Sequence, residues 1–119
     1  MKLNAIKKYC ASLPHATADV KWEIDHVYSI GGKMFALACE NQYRGTVVCF
    51  KVDDHRFLEL TDRSGFMPAP YLARAKWVEL KNLDAISDAE LKALLKRAYT
   101  IVGAKLTKKL QREFGLIDN

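Results

Sequence analysis

Six cations and three aromatic residues stand where the chain turns or where a strand begins or ends. Lys21 adjoins Trp22, Lys33 follows Gly31-Gly32, Arg44 precedes Gly45, Lys51 closes an apolar run, and Arg74 and Lys76 accompany Tyr71 and Trp77. Cations on hairpin tips can follow a phosphate backbone or enter a groove, which is recognition rather than bond-making. An aromatic beside an arginine, as with Tyr71, Arg74 and Trp77, is also a recognition pair for an acidic group or a peptide. The competing reading is scattered solvated charge with Trp22 and Trp77 in the core, where tryptophan is most often found.

Other chemistry finds little support. His15, His26 and His55 are far apart, with no paired-ligand spacing, so no metal site is expected. Ser12, Ser29, Ser64 and Ser87 lie in no Gly-x-Ser-x-Gly setting. Cys10, Cys39 and Cys49 occupy apolar periodic positions and read as inert core thiols. The pair Asp53-Asp54 reads first as a helix start. Gly31-Gly32-Lys33 lacks the spacing of a phosphate loop and lies between two strands. No general base, nucleophile and orienting group converge, so the expectation is a protein that is not an enzyme and carries no cofactor.

Composition agrees with a binding domain. The 119 residues make one domain, 1–119, with 50% apolar and 28% charged residues. The net charge of +5 favours an acidic partner. Residues 1–13 hold Lys2, Lys7 and Lys8, and residues 105–112 hold Lys105, Lys108, Lys109 and Arg112, both without an acid. No run is long enough to cross a membrane, the start lacks the apolar stretch of a signal peptide, and the cysteines are three and widely spaced. A cytoplasmic location is expected.

Hydrophobic periodicity supplies the elements that must hold the cations. Leu3, Ile6, Cys10 and Leu13 mark an amphipathic helix that Pro14 stops, followed by a loop over 15–19 and extended chain from Val20. Residues 26–30, 33–39 and 46–52 read as three antiparallel strands, the first two joined at Gly31-Gly32 because primed turns need positive φ. Arg44 falls in the second turn. Asp53 or Asp54 caps a helix holding Phe57, Leu58 and Leu60. Pro68 favours extended backbone at Met67, and Pro70 suits the start of a brief helix through Arg74. Residues 76–80 return as a strand joining the meander. Ser87-x-x-Glu90 has the form of a capping box before a long helix carrying Leu91, Leu94, Leu95, Ala98, Ile101 and Val102, which Gly103 bends or breaks. The result is an α+β domain, with N-terminal and C-terminal helices over one face of an antiparallel sheet and the other face open.

The residues Leu13-Pro14, Val20-Lys21-Trp22, Gly31 to Ala36, Lys51-Val52, Pro68-Ala69-Pro70-Tyr71-Leu72-Ala73-Arg74, Lys76-Trp77-Val78 and the helix around Leu94 to Leu106 carry a likeness over almost the whole chain. On them the chain resembles the YjbR/MmcQ family of small bacterial proteins. Ala98 and Thr107 depart from the serine and proline that the pattern favours. The resemblance implies a frataxin-like (CyaY-like) fold and a DNA-binding role through a double-wing surface of hairpins and helix, without enzymatic activity. Iron binding does not transfer, because the first helix has lysines and no acids.

The expected function is therefore DNA binding, with Lys21, Lys33, Arg44, Lys51, Arg74 and Lys76 meeting on one surface. The alternative is a module that binds an unknown protein or an acidic small ligand on the open sheet face, around Tyr71, Arg74 and Trp77.

Overall fold

The computed structural model describes residues 1–21, 25–41 and 45–118. Six strands form one antiparallel sheet in the order β1-β2-β3-β4-β6-β5: β1 Ala16–Lys21, β2 Asp25–Ile30, β3 Lys33–Asn41, β4 Gly45–Lys51, β5 Phe66–Pro68 and β6 Trp77–Leu80. The helices are α1 Leu3–Ser12, α2 Asp54–Thr61, α3 Asp88–Gly103 and α4 Lys108–Glu113. The α+β class, the β2–β3 hairpin and the return of β6 onto β4 agree with the sequence reading. Gly31 and Gly32 take φ of +58° and +81°, as a primed turn requires.

Two strands were not legible. Residues 16–21 read as mostly loop but pair with β2 from Ala16↔Ile30 to Lys21↔Asp25. Five of the six are exposed, so the apolar alternation that betrays a strand is missing. The short β5 pairs only with β6, at the sheet edge where a proline costs no ladder bond.

Alternation along the strands divides the interior in two. Val48, Phe50, Val78 and Leu80 face the helices and join Ile6, Cys10, Leu60, Leu91, Leu95 and Ala98 in the main core. Burial pushes the Cys10 thiol up to about 12, consistent with an inert core residue. The other face is not open as expected. Cys49 and Trp77 pack with Ala69, while Met34, Leu37 and Leu72 close around them. Residues between β5 and β6 therefore lie across the sheet face that the helices leave bare.

The caps differ from the sequence reading in instructive ways. Ser87 Oγ accepts the Glu90 N–H at 3.2 Å, but the Glu90 carboxylate takes Arg63 at 2.5 Å, so the box is half made and its acid ties α3 to the end of α2. Asp53 occupies the cap position of α2 without a side-chain capping bond. Its carboxylate instead accepts two bonds from Arg97 of α3, both 2.9 Å. Leu58 is 77% exposed and contributes nothing to the core of α2. Gly103 ends α3, and Thr107 restarts the chain as α4 by accepting the Leu110 N–H at 3.2 Å.

The Asp53–Arg97 pair gives a pH prediction. The Arg97 donors hold the Asp53 carboxyl below the usual carboxylate range. A carboxyl with a depressed folded-state pKa stabilises the fold fully above its unfolded value near about 3.9, and loses that contribution as pH falls through the folded value. Arg97 is about half exposed, with 54% of its side chain accessible, so the contribution stays at or below about 1 kcal/mol. Denaturant melts of wild type and Arg97→Ala should differ by that amount near neutral pH and converge as pH drops below about 4.

Candidate functional site

Strand register decides which cations meet. Lys51 ends β4 opposite Trp77, and Ala36↔Phe50 places the start of β3, with Lys33, at the same end of the sheet. The β2–β3 turn there rests on the connection between α3 and α4, since a Cβ added at Gly31 would meet Leu106 at 2.7 Å. Lys105 immediately precedes Leu106 and shares a shallow depression with Lys51, Asp53, Asp54 and His55. Lys76 enters β6 at this end with its ammonium 5.1 Å from the centre of the Phe57 ring. The Lys51 ammonium donates to the Ala75 carbonyl, holding the β5–β6 connection against β4.

Lys51 records this crowding. Burial lowers its pKa most, Lys105 and Lys76 lower it further, and Asp54 and Asp53 oppose them. Asp53 is already engaged by Arg97, so part of the local negative charge is spent inside the fold. Like charges held together in this way are relieved by a polyanion.

The remaining cations divide. Arg74 is exposed in the short 3-10 turn Ala73–Ala75, on the segment that Lys51 holds. Lys21 stands at the other end of the sheet, opposite Asp25 and, one strand further, Cys39. That row lies six positions along β3 from Lys33, a span of about 20 Å. Lys21 thus does not join the group. Trp22 and Arg44 lie outside the described residues. Lys105 belongs to the group although sequence reading left it among the terminal charges; the acid-free run 105–112 was the available signal, and only the packing of the α3–α4 connection under the β2–β3 turn gives it a place.

The aromatic pair separates as well. Trp77 is 4% exposed and belongs to the smaller core, so it is no recognition surface. Tyr71 is fully exposed. Its backbone is left-handed, with φ +66°, as is that of Lys76 at +62°, and the expected helix from Pro70 is reduced to the turn at Ala73–Ala75. Left-handed backbone at a non-glycine residue costs about 1–3 kcal/mol and persists only where surroundings enforce it. Here the Leu72 N–H donates to the Ala69 carbonyl at 3.1 Å and the Trp77 N–H to the Leu72 carbonyl at 3.2 Å, closing the loop on both sides of Tyr71.

Between this loop and the sheet runs a groove of about 430 Å³, walled by Met34, Leu37, Val47, Cys49 and Leu72. Asp25 and Glu79 are the charged groups among its described walls. Glu79 is 1% exposed and accepts a long bond from the Cys49 thiol, 3.6 Å. An acidic ligand, the chemistry expected from Arg74, meets no described cation in this groove. Among the described residues no helix is long and apolar enough to cross a membrane, and no three His, Cys, Asp or Glu residues are placed to hold a metal ion.

Comparison with known proteins supplies the family. The structure of protein DR2400 from Deinococcus radiodurans, a DUF419 domain, matches with a TM-score of 0.85 at 25% identity, over 99% of this chain and 91% of that one. A Pseudomonas syringae protein solved by structural genomics matches with a TM-score of 0.72 at 18% identity, over 86% of this chain and 99% of that one, and shows the same fold. No curated protein matches. The YjbR family model covers residues 11–101, which takes in the sheet, the β5–β6 connection and most of α3. On that match the chain belongs to the YjbR family.

Proposed function

We propose that the protein binds nucleic acid through its phosphates, with Lys33, Lys51, Lys76 and Lys105 as the gripping cations and Arg74 beside them. The observation that supports this reading is the meeting of cations distant in sequence at one end of the sheet: Lys51 and Lys105 line one depression, and the Lys51 ammonium is bonded to Ala75, next to Lys76. Lysine ammoniums carry three donors each, so the bond from Lys51 to Ala75 leaves donors for a phosphate. The role is recognition without bond-making. The β2–β3 hairpin tip and the β5–β6 connection serve as the two projections of a double-wing surface, and the helix–sheet–helix order is in keeping with a CyaY-like arrangement.

Four phosphate contacts fix the salt dependence. Log affinity falls against log salt with a slope of about −3.6 on duplex and about −2.8 on single strands. A fluorescence-anisotropy titration should therefore lose about 150-fold or about 50-fold, respectively, when salt rises from about 50 to about 200 mM. Binding indifferent to salt, or none at low salt, removes the proposal.

A further inference from the structure

The groove under the β5–β6 connection has the size and lining of a small-ligand site. Its volume of about 430 Å³ falls within the range of about 300–1,000 Å³ that such sites occupy. Strand register lays its floor in two rows across the sheet: Asp25, Cys39 and Val47 in one, and Leu37, Cys49 and Glu79 in the next. Met34, Leu37 and Leu72 are only half-buried, so an apolar occupant would take their exposed surface out of water. Tyr71 lines the same groove with its ring wholly in water, on a left-handed backbone that a bulky residue rarely adopts. A protein-binding anchor would be surrounded by further apolar surface. The other large exposed apolar residues, Val20 and Leu58, lie elsewhere, on β1 and α2. The occupant that fits is small.

Charge selects among small molecules. Both charged groups on the described walls are acids, in a chain of net charge +5. Glu79 lies in the floor, where the Cys49 thiol donates to it. Asp25 is half-buried at the start of β2, and among the described residues its carboxylate accepts no hydrogen bond. Lys21 stands opposite it on β1, but the two form no ion pair. A carboxylate flanked by apolar walls favours an ammonium, through a charge-assisted bond, and repels an anion. We infer that the groove binds a small organic amine with an apolar body. Its ammonium donates to Asp25, and its body lies along Met34, Leu37 and Leu72 against the Tyr71 ring. None of the lysines assigned to phosphate takes part, so this site does not depend on the nucleic-acid reading.

The test is an NMR titration of the labelled protein with three probes of one shape: 2-phenylethylamine, the neutral 2-phenylethanol and the anionic 3-phenylpropionate. Wild type, Asp25→Asn and Tyr71→Ala are compared, with thermal melts to confirm that both variants are folded. Amide shifts should concentrate on the groove strands and residues 69–72, and the amine should bind at least about tenfold more tightly than the anion. Asp25→Asn should weaken the amine about tenfold and leave the alcohol within about twofold. Tyr71→Ala should weaken amine and alcohol alike, by about twofold to tenfold, since it removes an aromatic contact and no charge. An anion that binds as well as the amine, or an Asp25→Asn variant that treats amine and alcohol as wild type does, overturns the inference. So do saturating shifts outside the groove, no binding of any probe at millimolar concentration, or groove shifts that follow protein concentration alone, which would make the occupant a second copy of the chain.

Discussion

Trp77→Ala is expected to lose about 3–5 kcal/mol of stability, the range for truncating a buried tryptophan. The ring is 4% exposed against Cys49 and Ala69, and it is the largest side chain of the smaller core. Its backbone is committed as well: the Ala69 N–H donates to the Trp77 carbonyl at 3.0 Å. Removing the ring therefore opens a cavity beneath the loop that presents Tyr71 and Arg74. Denaturant unfolding reads the effect, and the melting temperature should drop by more than about 10 °C. A loss below about 1 kcal/mol would place the ring at a surface instead.

The main core was legible in the sequence because its signals are local. The 3.6-residue recurrence of Leu91, Leu94, Leu95 and Ala98 and the Gly31-Gly32 turn each specify an element without reference to the rest of the chain. What could not be read was long-range. Nothing near Asp53 in sequence announces Arg97, which draws its carboxylate away from capping. Nothing near Trp77 announces that residues 69–76 fold back over the sheet and bury it. The candidate cations stand at turns and strand ends, but a sheet has two ends. Register, which the sequence does not state, puts Lys33 and Lys51 at one of them and Lys21 at the other. Lys105 was passed over for the same reason, since it lies in the turn after α3 and its neighbours include Lys51 at the end of β4 and Asp53, Asp54 and His55 at the start of α2.

That division by register yields the second large effect. At about 0.1 M salt each phosphate contact contributes roughly fivefold to eightfold in affinity, from the counterion released. Lys33→Glu combined with Lys105→Glu removes two contacts and should weaken binding by about 25-fold to 60-fold, before any added repulsion. Both side chains are exposed, so the fold should be retained. Lys21→Glu changes the net charge by the same amount per residue, but about 20 Å away along the sheet.

The decisive measurement is the affinity of the Lys33→Glu, Lys105→Glu and Lys21→Glu single variants for one labelled oligonucleotide at one salt concentration. A surface confined to the Lys33–Lys51–Lys76–Lys105 end predicts losses of at least about fivefold for the first two and less than about twofold for the third. Equal losses in all three would mean that total charge, and not this end of the sheet, governs binding, and would contradict the account.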